Sequence, residues 1–284
     1  MIQIGTYNYL RVKKAGADEL LLTDGEQDVV LPSSAGEDQK KEGDEMFVFC
    51  FHHKDGRIFA TRKRPFAALG DFALLKVTDL TENGAFLDLG IEKDLFVPTS
   101  KQRNPMQLGK EYVVYIFLDE DGKLTASTWL EDNIDTDLSD VEEGDQVSLL
   151  IFDKSDLGYS AIINNKHMGL LYSDEVYEEL VIGESRAGYI KKVRTDINKI
   201  DLSLRPLGFE FILDSRDSVL DILKESGGVL SLGDKSSPEE IRQQLKMSKK
   251  AFKQVIGGLY KQRLITLADH EIRLIKEEHD SEAE

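Results

Sequence analysis

The chain has 284 residues, of which 40% are hydrophobic, and it carries a formal net charge of −17 at pH 7. A single core of this size lies at the upper limit for one domain, so length and composition predict a globular protein with several small domains. The sequence contains no run of about 18 apolar residues, and residues 1–6 lack the charged start and apolar stretch of a signal peptide, so neither a membrane span nor export is predicted.

The acidic charge is unevenly distributed along the chain. Residues 66–137 hold 6 basic and 14 acidic side chains, and residues 276–284 hold 1 basic and 5 acidic ones. Residues 1–65 and 207–275 are close to neutral. Any surface that binds a polyanion must therefore be confined to the less acidic parts of the chain.

One short sequence motif recurs at the end of three successive segments of the chain. It runs over 43–61, recurs over 109–127 with the same length, and recurs again over 183–203 with two more residues. A period near 70 residues is too long for a solenoid repeat. Each copy is therefore predicted to be a small domain with its own core.

Each repeat contains five short segments that read as strands. The first unit gives 7–13, 19–23, 28–31, 46–51 and 57–62; the second gives 72–78, 85–89, 94–98, 112–118 and 123–127; the third gives 146–152, 159–163, 168–171, 186–193 and 199–204. The pair Asp121-Gly122 is typical of a tight hairpin, and Pro32 and Pro98 each close a third strand. Five strands with a loop after the third predict an OB-type barrel, and a short helix is expected over 173–180.

The C-terminal part changes to a helical period. Apolar residues at 219, 220, 222 and 223 form one stripe that ends at Gly227-Gly228. Ser237-Pro238-Glu239-Glu240 supplies a complete helix start, and Ser248 can cap a third helix. The apolar runs 264–267 and 272–275 form a hairpin. Three helices and a hairpin predict a winged helix, an elaborated helix-turn-helix.

Motifs of the three repeats resemble those of a known protein family. The turn Gly84-Ala85-Phe86-Leu87, the Gly-acidic opening of the fourth strand and the basic-aliphatic ending of the fifth resemble the S1 RNA-binding domain of ribosomal protein S1. Three such units before a winged helix resemble the bacterial conserved virulence factor B family. The resemblance implies a mainly β protein of three tandem S1-type OB-fold barrels plus an α+β winged helix. The expected divisions are 1–65, 66–134, 138–208, 212–276 and an acidic disordered tail, 277–284.

The sequence contains little that indicates a catalytic or metal site. The five histidines show no metal-ligand spacing, and Asp119-Glu120-Asp121-Gly122 lacks the ligand pattern of a calcium loop. Cys50 lies in the apolar run 47–51, which predicts a reduced core residue and a cytoplasmic protein. We therefore expect no enzyme, no cofactor and no metal ion.

Binding of a single strand needs aromatic faces and cations along a groove, and OB barrels place both on their second and third strands. Phe86 falls where the S1 pattern carries a surface aromatic, although a core position is the alternative. In the third unit, Tyr159 and Tyr172 lie near the equivalent strands, although such tyrosines can merely cap a barrel. Basic residues cluster on its last two strands, where protection of a strand edge is the alternative role: Lys191, Lys192, Arg194, Lys199 and Arg205.

The first unit is expected to bind weakly. Its position matching Phe86 falls near Asp18-Glu19, which would repel phosphate. Its remaining candidate contacts are His52, Arg57, Arg62, Lys63 and Arg64.

The winged helix offers a second basic surface on its third helix and wing. The candidates are Lys249, Lys250, Lys253, Lys261, Arg263 and Arg273. Gly257-Gly258 inside that helix lowers helix stability by roughly 1 kcal/mol for each glycine relative to alanine. These glycines either allow a partner to approach the backbone closely or pack tightly against the first helix.

Two classes of function remain open. The first is a monomeric regulator that binds single-stranded RNA along tandem barrels, with an affinity that falls steeply with salt. The second is a duplex-DNA transcription regulator that uses the winged helix and keeps the barrels as a scaffold; a pure protein adaptor is a weaker third. Residues 138–284 are expected to keep most of the affinity.

Overall fold

The computed structural model describes residues 1–16, 18–32, 40–53, 55–206 and 209–275, with the backbone alone for 209–214. The predicted acidic tail over 277–284 lies outside these residues. Within them the chain forms three closed β-barrels followed by a helical region. The fold class predicted from the sequence is confirmed.

The first barrel is built by five strands. They are β1 Tyr7–Ala15, β2 Glu19–Thr23, β3 Asp28–Pro32, β4 Glu45–His52 and β5 Ile58–Thr61. The strand order is β1-β2-β3-β5-β4, and only the β3–β5 pair is parallel. Alternate side chains such as Leu10, Val48 and Cys50 fill the interior because successive strand residues point to opposite faces. Cys50 is thus a buried core residue, and burial raises the pKa of its thiol to about 12.

The second and third barrels repeat this plan. Their strands are β6 Phe72–Thr81, β7 Gly84–Leu87, β8 Leu95–Pro98, β9 Glu111–Leu118 and β10 Leu124–Ser127, and then β11 Gln146–Ser155, β12 Gly158–Ile163, β13 His167–Tyr172, β14 Ser185–Arg194 and β15 Lys199–Ser203. Strand order and the single parallel pair are the same as in the first barrel. The first strand of every barrel also has a register shift at the equivalent place. A bulge there bends the strand, which helps the sheet to close.

The helix expected over 173–180 does not form. After β13 the chain makes a single turn, in which the amides of Glu175 and Val176 both donate to the carbonyl of Tyr172. Leu180 then inserts into the core of the third barrel. Burial of Leu180 is a tertiary contact, and such contacts can override local helix propensity.

The barrels pack against one another through apolar contacts. Phe49 and Phe51 point out of the first barrel and join the apolar cluster of the second. Between the second and third barrels, Phe72 packs with Ile162, and the amide of Phe72 donates to Oδ1 of Asn165 at 2.7 Å. The repeats therefore have separate interiors and shared junctions.

The C-terminal region is a winged helix, as predicted. Its elements are α1 Phe209–Glu225, β16 Val229–Leu230, α2 Pro238–Leu245, α3 Lys249–Lys261, β17 Ile265–Leu267 and β18 Ile272–Leu274. The capping box at Ser237 forms, with its hydroxyl accepting from the Glu240 amide at 3.2 Å and the Glu240 carboxylate accepting from the Ser237 amide at 2.7 Å. Within the described part of the chain, no helix is long and apolar enough to cross a membrane.

The winged helix meets the third barrel at Tyr177. The guanidinium groups of Arg205 and Arg242 lie 5.1 and 5.5 Å from the centre of this ring. Arg205 comes from the segment after β15, and Arg242 comes from α2. Cation–π contacts therefore connect the two units.

Candidate nucleic-acid interface

The second barrel carries a row of aromatic side chains on three of four neighbouring strands, β7, β8 and β9, with the buried Thr125 of β10 between two of them. Strand register places Phe86 beside Phe96, Phe96 beside Thr125 and Thr125 beside Phe117. Directly paired residues share one face of a sheet, and the flanking Leu95 and Val97 fill the interior. The row therefore lies on the outer surface, and the Phe86 and Phe96 rings meet at 5.0 Å.

Cations border this aromatic row. The Nζ of Lys101 lies 5.6 Å from the centre of the Phe117 ring, and the guanidinium of Arg103 lies 5.1 Å from that of Trp129. The loop that carries both cations is held to the end of β10, because the amide of Arg103 donates to the Thr128 hydroxyl at 2.7 Å. Stacking faces and cations thus lie together on one barrel.

Sequence reasoning found only one member of this surface. Phe86 was predicted, and the structure places it on the outer face, half-buried. Phe96, Phe117, Trp129, Lys101 and Arg103 were missed. The segment Leu95-Phe96-Val97 carried a usable signal, because an aromatic residue between two inward aliphatic residues of a strand must point outward.

The equivalent row of the third barrel is not aromatic. Its members by register are Ser160, Leu170, Asp201 and Lys192. Tyr159, the predicted stacking residue, is one position away from this row and is only 6% exposed in the barrel core. A shift of one residue along a strand reverses the face, which explains this placement.

Several predicted cations of the third barrel have acidic partners. Arg194 donates from Nε and Nη2 to Oδ2 of Asp201 at 2.9 and 2.7 Å, and the Tyr172 hydroxyl donates to Oδ1 of the same carboxylate at 3.3 Å. Lys191 pairs with Glu175. The remaining predicted strand cations, Lys192 and Lys199, are exposed.

In the first barrel, strand register shows that the position matched to Phe86 from the sequence was wrong. The position equivalent to Phe86 is Leu21, which pairs with Val30, and not Asp18-Glu19. The row continues through Phe59 to Phe51, which is buried toward the second barrel. The first barrel therefore lacks an acidic residue at this position and has its aromatic face partly covered.

At the open end of that face, Phe59 stacks on His53 with ring centres 4.4 Å apart. The Arg57 guanidinium lies 5.2 Å from the Phe59 centre and pairs with Asp55 at 2.7 Å. Hydrogen bonds from Arg57 hold the pKa of Asp55 at about 2, well below its usual range. Of the other predicted contacts, His52 is half-buried and Arg62, Lys63 and Arg64 are exposed, with Lys63 paired to Glu92.

The third helix of the winged helix presents most of its predicted cations to solvent. On α3, Lys250, Lys253 and Lys261 are exposed and Lys249 is half-buried, and Arg263, which follows the helix, is also exposed. Lys253 pairs with Asp234 at 3.1 Å, and Arg273 on the wing pairs with Glu271. Tyr260, which the sequence reasoning missed, is 57% exposed on the same helix.

Comparison with known proteins agrees with this architecture. A family model described as a CvfB-like winged helix domain matches residues 217–274, and an S1 domain model matches residues 4–63 and 69–129. Conserved virulence factor B of Staphylococcus epidermidis is 27% identical over 96% of this chain and 95% of its own length. The chain is similar to conserved virulence factor B over almost its whole length.

Other similar proteins match the chain over comparable extents. The Staphylococcus saprophyticus protein of the same name is 27% identical over 84% of this chain and 82% of its own. A Streptococcus pneumoniae crystal structure, of a multidomain protein with nucleic acid binding domains, is 20% identical with a TM-score of 0.45, covering 96% of this chain and 99% of that one. The matched domain models, an S1 domain and a CvfB-like winged helix domain, are binding or regulatory types.

Proposed function

We propose that this chain is an RNA-binding regulator that binds single-stranded RNA along its S1-type barrels with help from the winged helix. It acts as a cytoplasmic monomer. RNA binding places its role in post-transcriptional gene regulation, and the name of its relatives, conserved virulence factor B, supports a role in virulence.

The observation that carries this proposal is the aromatic row of the second barrel. Phe86, Phe96 and Phe117 offer stacking surface, and Lys101 lies beside it for the phosphates, whereas Arg103 is paired with Glu131. Base stacking on a protein ring contributes about 1–3 kcal/mol for each base and accepts any base. A duplex hides its base faces, so this row favours a single strand.

The direct test is a titration of the intact chain with labelled single-stranded RNA, duplex RNA and duplex DNA across a salt series. We expect single-stranded RNA to bind most tightly, with an affinity that falls as salt rises. Absence of binding to every unstructured RNA at low salt would disprove the proposal.

The exposed lysines of α3 favour one alternative, which is duplex-DNA binding through the winged helix. Lys250, Lys253 and Lys261 lie on the helix that enters the major groove in such domains. Replacement of Lys250 and Lys261 by glutamine separates the two functions. Loss of duplex binding with unchanged single-strand binding would assign this helix to DNA.

A further inference from the structure

The first barrel exposes a separate aromatic surface on the outer face of β1 and β4. Strand register pairs Tyr9 with Phe47 and Tyr7 with Phe49. The centre of the Phe47 ring lies 4.6 Å from that of Tyr9 and 4.9 Å from that of Tyr7. Tyr9 is 76%, Phe47 is 53% and Tyr7 is 37% exposed. These three residues form an aromatic ladder, and exposed aromatic side chains in mutual contact are typical of an interaction site.

The ladder is separate from the aromatic row that the first barrel shares with the second. Along β4, Phe47 is exposed, whereas Phe49 and Phe51 are buried against the second barrel. The row itself runs from Phe51 to Phe59, on the far side of this junction. A nucleic acid bound along the row therefore does not lie on the ladder, and the ladder needs its own explanation.

In the second barrel the equivalent face is covered by protein. Phe72 and Val113 occupy the register positions of two ladder residues, and both are buried. Leu130 from the segment after β10 and Ile162 from the third barrel pack on them. The chain itself therefore shows that this face of the barrel binds apolar side chains of protein, and in the first barrel the same face is exposed.

The charges around the ladder are already paired. Arg11 pairs with Glu45 at 3.2 Å and Lys13 pairs with Asp28 at 2.7 Å. The two carboxylates would repel phosphates at short range. An aromatic centre with a polar rim of both signs is the usual anatomy of a protein interface, so a polypeptide suits this surface better than a nucleic acid.

The size and shape of the ladder restrict the kind of polypeptide. Three side chains expose far less than the roughly 800 Å² for each partner of a standard interface, so a second folded copy is not the occupant. The barrel is closed, so β1 and β4 offer no free edge to which a strand could add. A helix requires a hydrophobic groove, whereas the outside of a barrel is convex.

A polyproline II segment meets these conditions. It makes no internal hydrogen bonds, so its carbonyls are free to accept, and its rigid prolyl rings dock against aromatic side chains at little cost in entropy. In the described part of the chain, neither the Tyr7 nor the Tyr9 hydroxyl has a hydrogen-bond partner. Each hydroxyl can therefore donate to a carbonyl of the segment.

We infer that the aromatic ladder docks a proline-rich segment of a partner protein in the polyproline II conformation. Prolyl rings pack on Tyr9 and Phe47, and the hydroxyls of Tyr7 and Tyr9 donate to carbonyls of the segment. This role goes beyond the proposed function, because it assigns protein recruitment to the first barrel. A chain that holds RNA on its other domains then carries a protein partner on this face.

The test is an amide-detected NMR titration of the intact chain with decaproline, which spans about three polyproline II turns of 3 residues each. A glycine–serine peptide of equal length is the flexible control. The proteins are the wild type, Phe47→Ala, Tyr9→Phe and Phe66→Ala. Phe66 is the matched control position, since it is 66% exposed but lies in the segment between β5 and β6, outside the ladder. Circular dichroism checks folding, and Tyr9→Phe keeps its ring if Phe47→Ala does not fold.

We expect decaproline to shift the amide signals of residues 7–11 and 45–49 in the wild type and in Phe66→Ala. Phe47→Ala should weaken binding about tenfold, the effect of losing a central aromatic contact. Tyr9→Phe should weaken it about threefold, because one hydrogen-bond donor is lost. Absence of these shifts at millimolar decaproline, equal shifts with the glycine–serine peptide, or equal affinity in Phe47→Ala would overturn the inference.

Two further measurements examine the other occupants. Oligouridylate should leave the signals of the ladder in place, and shifts there that Phe47→Ala abolishes would assign the face to RNA instead. Light scattering should give a monomer for the wild type, and a dimer that Phe47→Ala dissociates would assign the face to a second copy. Either result overturns the inference. Loss of decaproline binding with RNA binding retained counts against this inference alone, whereas the reverse counts against the proposed function alone.

Discussion

At the level of single residues, the adjacent glycines of α3 have different environments. A Cβ on Gly258 would lie 2.9 Å from Nε of Arg216 on α1, so the missing side chain permits helix packing. A Cβ on Gly257 would meet no atom within 4 Å among the described residues. The two sequence interpretations of this pair thus apply to different residues: Gly258 packs, and Gly257 leaves the backbone open to a partner.

The Gly257→Ala variant should raise the free energy of unfolding by about 0.5–1 kcal/mol, because alanine loses less backbone entropy in a helix. Gly258→Ala should gain less or destabilise, since Arg216 must move. Urea denaturation of both variants measures the difference. Equal stabilisation by the two would contradict the assigned packing.

The ion pair between Asp55 and Arg57 makes the stability of the fold depend on pH. Its pKa is about 2 in the folded chain, below the ordinary value of about 3.9, so its contribution to stability is complete above the ordinary value and is lost as pH falls toward 2. In Arg57→Gln the pKa of Asp55 should rise toward its ordinary value. Carboxyl-carbon NMR titration measures it, and Lys13→Gln, which removes the Asp28 partner instead, should leave Asp55 unchanged.

At the level of elements, the aromatic row depends on strand register. Phe86→Ala with Phe96→Ala removes two stacking faces and should weaken single-stranded RNA binding by at least about tenfold, given roughly 1–3 kcal/mol for each stacked base. Both rings are half-buried on the outer face, so the barrel should still fold. Anisotropy titration and circular dichroism measure the two properties.

Leu108 supplies the control for the aromatic row. It is 63% exposed in the loop before β9, and Leu108→Ala removes apolar surface from the same barrel outside the row. We expect its RNA affinity to match the wild type. An equal loss in Leu108→Ala and in the double variant would remove the row from the interface.

At the level of the whole molecule, the barrel junctions couple the repeats. Ile162 belongs to β12 of the third barrel yet packs with Phe72, Val113 and Leu130 of the second, and it is 1% exposed. Ile162→Ala should therefore cost about 2–5 kcal/mol of stability. Urea denaturation measures this loss. Calorimetry should also show a thermal unfolding transition that is broader than that of the wild type, because the two barrels unfold less cooperatively.

Ile197→Ala is the comparison for that variant. Ile197 is 52% exposed in the turn after β14, so its truncation should leave stability within about 0.5 kcal/mol of the wild type. Independent unfolding of the second and third barrels in the wild type itself would contradict a coupled junction.

The acidic body and the binding proposal are compatible at this scale. The net charge of −17 repels nucleic acid at long range, but screening limits that repulsion to about 10 Å at ordinary salt. The aromatic row needs few cations, because stacking supplies much of the affinity. Lys101 and Arg103 lie beside aromatic rings of this surface, so they are within this screening distance of a strand bound there.

Local patterns in the sequence determined the barrels and the winged helix. Period-two alternation, the hairpin at Asp121-Gly122 and the cap at Ser237 are set by neighbouring residues, and apart from the helix expected over 173–180 the strands and helices formed where these patterns indicated. Phe86 was found for the same reason, since it lies in a local S1-like turn. The barrel interiors followed from the same alternation.

Only the tertiary structure decided which residues share a surface. Asp201 meets Arg194 and Tyr172 through pairing between strands, and a cavity beside it is lined both by the linker that precedes the third barrel and by the face of that barrel. Tyr159 and Ser160 are adjacent in sequence but point to opposite faces, so an error of one residue exchanged core for surface. Strand register and packing between barrels join residues far apart in the chain, and local patterns contain no information on either.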